Sequence, residues 1–155
     1  MMPGGAEMTA TSAAGVQATR DAWTRTVDSL IADVAGWCRE QNWPCRRLPT
    51  RLRDGGPGEY TVPALLLQVE LAQLMFQPDP ADPADGTGLV RFYHLPMYDD
   101  LAFLVWADGR WQYYRDRDWP AGGADLSRPS PITFGRDLFV AEVNRMVAHG
   151  RQHAA

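Results

Sequence analysis

LAFLVWADGRWQYYR, residues 101–115, reads as two apolar runs joined by Asp108-Gly109. Both central residues of a two-residue hairpin turn must accept positive φ, which aspartate tolerates and glycine adopts freely. The dipeptide therefore predicts an antiparallel hairpin, with Leu101–Ala107 and Trp111–Arg115 as its arms.

Upstream the same grammar repeats. Leu89–Leu95 is extended, and Pro96–Asp99 turns the chain into the hairpin. QPDPADPADGTG, 77–88, is a Pro/Asp/Gly loop. Ala72–Gln77 alternates, with Leu74 and Phe76 on one face and Gln73, Met75 and Gln77 on the other. EYTVPALLLQVE, 59–70, reads as a strand with a buried centre at Ala64–Leu67, and GGPG, 55–58, is a turn. CRRLPTRLR, 45–53, reads as an edge strand, because Pro49 cannot donate to a ladder on both sides. Links this short favour antiparallel pairing, since parallel neighbours need a long crossover.

The ends are helical. From Val16 to Asn42 the spacing of Trp23, Val27, Leu30, Ile31, Val34, Trp37 and Cys38 makes one apolar stripe, with Arg20, Arg25, Asp28, Asp33 and Arg39 largely off it. Pro44 cannot continue the helix. After an irregular connection over 116–131, a second helix is expected from Thr133 as N-cap, with Asp137 near the positive end of the dipole. Phe134, Leu138, Phe139, Val143, Met146 and Val147 give it an apolar face, and Gly150 is its expected stop. The fold class is α+β: a long N-terminal helix, a mainly antiparallel, curved sheet of five to six strands, and a C-terminal helix. Residues 1–15 are expected as a flexible tail, 16–150 as a single domain and 151–155 as a C-terminal tail.

The chain has 155 residues, 45% of them hydrophobic, enough for a core that needs no metal or disulfide. All fifteen basic residues are arginine. Without lysine there is no Schiff-base lysine, Ser-Lys dyad or Walker A lysine. The net charge of −4 argues against wholesale binding of nucleic acid. No apolar stretch is long enough to span a bilayer, and the first fifteen residues lack the basic and apolar regions of a secretory signal. A cytoplasmic location is expected, with Cys38 and Cys45 reduced.

Nucleophile motifs, HExxH, CxxC and glycine-rich phosphate loops are missing. His94, beside Tyr98, Asp99 and Asp100, has the residue types for general acid–base work, or for a pocket formed by a curled sheet. His149 and His153 have the i, i+4 spacing of a helical metal pair, but no third ligand stands out. Asp79, Asp82 and Asp85 recur every third residue, yet prolines intervene and the distal glutamate of a calcium loop is missing. Neither a metal nor another cofactor is expected. Arg46, Arg47, Arg51 and Arg53 form the densest positive cluster. They either blunt a strand edge against aggregation or grip carboxylates or phosphates of a partner. Arg115-Asp116-Arg117-Asp118 reads as a self-paired, solvated face. Trp106 is expected in the core, whereas Trp111, Tyr113 and Trp119 are candidates for an aromatic contact surface.

Tyr60-x-x-Pro63, Gly88-x-Val90 leading to Pro96, Gly109-x-Trp111, Trp119-Pro120 and Phe134 ahead of the last helix together resemble a loosely defined group of small bacterial α+β proteins without assigned function. The resemblance spans about half the chain. It implies the architecture and carries over no catalytic residue. Three functional readings follow from the residues. The first is a non-enzymatic protein-binding module of the immunity, chaperone or adaptor type. It would use the sheet face and the arginine-rich edge toward a protein partner of acidic character. The second is a small-molecule or enzymatic pocket around His94 and Asp100. The third is nucleic-acid binding through Arg46–Arg53.

Overall fold

The two-residue turns do most to set the topology. Asp108 and Gly109 have φ of 55° and 72°, as the hairpin reading requires. Glu70-Leu71 makes a second tight turn, with Glu70 at φ 57°. The computed structural model describes residues 4–96, 99–115 and 132–154. Its strands are β1 (Cys45–Leu52), β2 (Tyr60–Val69), β3 (Ala72–Pro78), β4 (Gly88–His94), β5 (Asp99–Ala107) and β6 (Arg110–Arg115). They lie side by side in chain order, each antiparallel to the next, in one open sheet. The sheet is flanked by α1 (Gly4–Glu40) and α2 (Arg136–Ala154). The architecture is therefore the α+β arrangement expected, with six strands.

The α1 stripe is buried as its spacing requires: Trp23, Val27, Leu30, Ile31, Val34 and Cys38 are each at most 2% exposed. They meet Leu65, Leu67, Leu74, Phe76, Val90, Phe92, Leu104 and Tyr113 of the sheet, and Phe139, Val143 and Met146 of α2, in one core. Full burial of a leucine, valine or phenylalanine contributes about 2 kcal/mol, so this face holds both helices on the same side of the sheet. Phe76 and Phe92 stack with ring centroids 4.1 Å apart, and Phe139 packs over both. A smaller cluster of Phe103, Val105 and Tyr114 lies on the opposite face, since these residues alternate with Leu104 and Tyr113. In β2 the burial pattern changes phase between Ala64 and Leu65, both buried.

Three helix boundaries differ from the sequence reading. Helix α1 starts at Gly4 rather than Val16, so helical backbone runs through most of the segment expected as a tail. Alanine, methionine and glutamate there favour helix. Thr133 is not an N-cap. It bridges Gln112, while Tyr113 N–H donates to the Ile132 carbonyl and Phe134 N–H to that of Trp111, at 3.1 and 3.2 Å. Residues 132–134 thus line the outer edge of β6, and α2 begins after Gly135, whose carbonyl accepts from Phe139 N–H. Gly150 does not stop α2, which continues to Ala154 and into the expected C-terminal tail. A Cβ at Gly150 would come about 2.5 Å from a ring carbon of His94, so glycine serves close packing there. No helix among the described residues is long and apolar enough to cross a membrane.

Candidate protein-binding surface

Among the described residues, strand β1 is an edge of the sheet that pairs with β2 alone. One side chain anchors its end: Leu52, 4% exposed, enters the main core. Arg46, Arg47, Pro49, Arg51 and Arg53 are exposed. Pro49 lies opposite Pro63, so neither proline interrupts a neighbour that needs its N–H. The edge-strand reading of CRRLPTRLR thus has a direct structural counterpart.

The four arginines are not equivalent. Arg53 donates to Glu59 at 2.6 Å, but its side chain is 80% exposed, so the pair contributes little. Arg46, Arg47 and Arg51 make no side-chain ion pair among the described residues. Elsewhere Arg20, Arg91, Arg115, Arg136 and Arg145 have carboxylate partners, whereas the exposed Arg25 and Arg39 of α1 and Arg110 of β6 make no ion pair among the described residues. In a protein of net charge −4, β1 is thus where three such guanidiniums lie within six residues, while the others are dispersed over α1 and β6.

The aromatic candidates separate. Tyr113 is 1% exposed and stacks on Phe134, which places it in the core and not on a contact surface. Burial pushes its phenol well above the usual range. Trp111 is half-buried and lies 5.2 Å from Trp106 and 5.8 Å from Trp23, centroid to centroid. Trp106 and Trp111 border an open groove of about 470 Å³ whose other wall is α1, at Ala22, Thr26 and Ser29. Trp106 packs against the core, as expected. Trp119 lies outside the described residues.

Of the pocket candidates, only the side chain of His94 is described. His94 presses its ring against Gly150 of α2, and Asp99 is its register partner across the β4–β5 bulge. Tyr98 lies outside the described residues, and of Asp99 and Asp100 only the backbone placement in β5 is described. The repeated aspartates are used locally. Asp79 pairs with Arg91, Asp82 accepts from Ala84 N–H, and Asp85 accepts from Thr87 N–H and its hydroxyl. The Thr87 hydroxyl lowers the Asp85 pKa. Among the described residues no group of three metal-ligating side chains gathers, at His149 or elsewhere. Cys38 and Cys45 are free thiols, and burial pushes Cys38 up to about 12.

Two charged clusters lay outside the sequence reading. Arg20 is 7% exposed and grips Asp54 through two hydrogen bonds of 2.8 and 2.7 Å, with its guanidinium 5.2 Å from the Tyr60 ring centroid. That hydrogen-bonded guanidinium holds the Asp54 carboxyl down at about 2. Glu142, 1% exposed, accepts from both Arg115 and Arg145. Arg115 therefore reaches α2; the rest of the run expected to pair with it, 116–118, lies outside the described residues. A signal for each cluster was present. Arg20, expected largely off the α1 stripe, instead continues it three residues before Trp23, and Glu142 and Arg145 have helical i, i+3 spacing. Comparison with protein-family models, curated proteins and solved structures finds no match.

Proposed function

We propose that the protein is a non-enzymatic protein-binding module whose β1 edge receives an acidic partner. One observation carries this reading: Arg46, Arg47 and Arg51 are exposed and without ion pairs among the described residues, on the one strand whose outer side is open. A guanidinium fork matches a carboxylate with two parallel hydrogen bonds, and an edge strand holds such forks at fixed spacing. The overall charge is negative, so attraction for an acidic partner has to come from a local cluster, and β1 holds the densest one. The reading also draws on the position of His94, which is packed against a helix and apart from the open grooves described.

Immobilised polyglutamate, polyglutamine and duplex DNA test it. Polyglutamate should retain the protein at low salt and release it as ionic strength approaches about 0.3 M, where screening shortens the reach of surface charges to about 6 Å. The charge-reversed variant Arg46→Glu/Arg47→Glu/Arg51→Glu should not be retained. Equal retention of parent and variant would overturn the reading. Retention on DNA in preference to polyglutamate would move the function to nucleic acid.

A further inference from the structure

The backbone of β1 carries more information than its charge. Pro49 and Pro63 are register partners, and neither has an N–H. They cannot exchange the paired bonds of a hydrogen-bonded position. In an antiparallel ladder such positions alternate with non-hydrogen-bonded ones. Pro49–Pro63 is therefore a non-hydrogen-bonded pair. By the same alternation, so are Arg47–Leu65 and Arg51–Thr61. At these positions N–H and C=O point away from the neighbouring strand. Among the described residues no strand lies on that side of β1. The open edge consequently presents the N–H groups of Arg47 and Arg51, and the carbonyls of Arg47, Pro49 and Arg51. Arg47 and Arg51 thus combine outward backbone groups with a guanidinium that has no ion pair among the described residues, whereas the backbone of Arg46 bonds to β2.

We propose that β1 takes up an extended acidic segment of a partner protein as an added strand, in a register centred on Pro49. The inference rests on the acidic-partner reading and specifies how that partner binds. An incoming strand would make each backbone bond this edge offers, lacking only the one that Pro49 cannot donate. Arg47 and Arg51 lie four residues, about 13 Å, apart along a strand. Carboxylates four residues apart on the incoming segment would face them as cross-strand pairs, an arrangement that stabilises a ladder.

The same geometry disfavours other occupants. A second copy paired antiparallel about Pro49 would set Arg47 against Arg51 of that copy, and like charges directly opposed destabilise a sheet. A phosphate backbone could satisfy the guanidiniums, but it has no donor for the outward carbonyls. An extended peptide supplies N–H groups and carboxylates together.

The test uses the full chain and a fluorescent peptide, Thr-Val-Glu-Val-Thr-Val-Glu-Val-Thr. Two controls accompany it: the same sequence N-methylated at alternate amides on one edge, with both choices of edge made, and a composition-matched peptide with adjacent glutamates. Anisotropy gives affinity, and amide hydrogen exchange of the protein reads the edge. Binding should be weakened about tenfold or more by one of the two methylation patterns, equivalent to about 1.4 kcal/mol. Exchange at Arg47 and Arg51 should slow on binding. Leu48 and Thr50, bonded inward to β2, should change little. Salt-sensitive binding that the Arg46→Glu/Arg47→Glu/Arg51→Glu variant loses, with both methylated peptides binding as well as the parent and no slowing at Arg47 or Arg51, would overturn strand addition while leaving the acidic-partner reading intact. Failure of every peptide to bind, with polyglutamate still retained, would do the same. Failure of both the peptides and polyglutamate would remove both readings.

Discussion

The buried Arg20–Asp54 pair shows how one residue can couple stability to pH. An unfolded aspartate titrates near 4, and Asp54 in the fold titrates at about 2. A depressed carboxyl stabilises the fold above the unfolded value, and that contribution is lost as pH falls through the folded one. Asp54→Asn should therefore cost about 2 kcal/mol at neutral pH, as expected for losing hydrogen bonds to a charged group. The gap between parent and variant in urea unfolding should be full above about pH 5 and should close toward pH 2. A gap independent of pH would show that the carboxylate charge is not what matters. Gly88 has a different constraint. The Trp23 indole lies across it and donates to the Asp79 carbonyl at 2.8 Å, leaving no space for a Cβ. Gly88→Ala should destabilise by about 2 kcal/mol through overpacking, read as a lower urea midpoint at unchanged slope.

At the scale of elements, local chemistry was the most legible. The Asp108-Gly109 turn and the α1 stripe follow from positive φ and from a period near 3.6, both written in adjacent residues. Gly109→Ala should cost about 1 kcal/mol, because φ of 72° is unfavourable to a side chain. Gly109→Asn should cost less, and thermal melts of the two variants would rank them. Choosing between Tyr113 and Tyr114 was harder. Alternation identifies an inner face only when the other face is polar, and here both faces of β5 and β6 are covered by apolar clusters. Arg20 and Asp54 are 34 residues apart, so nothing local joins them. The arginine edge was legible as composition and position. Which of its backbone groups point outward needed the Pro49–Pro63 register. Helix starts were misplaced where a strand-like bridge at Thr133 competed with its capping chemistry.

For the whole molecule, the two sides of the sheet have different fates. At β6 the chain returns as Ile132–Phe134 and bonds to the outer edge, whereas β1 has no such cover among the described residues. Pro49 and the arginines deter a second copy from docking there, a common protection of edge strands. Because the exposed arginines support little of the fold, reversing Arg46, Arg47 and Arg51 should shift stability by less than about 0.5 kcal/mol each. A larger loss in urea unfolding would place them in the structural framework.

The engagement of β6 by residues 132–134 has a consequence for stoichiometry. With Trp111–Tyr113 of β6 already bonded to Ile132–Phe134, β1 is the long strand left with an unpaired side among the described residues. Complexes formed through β1 should therefore saturate at one segment per molecule, as a titration followed by anisotropy would read.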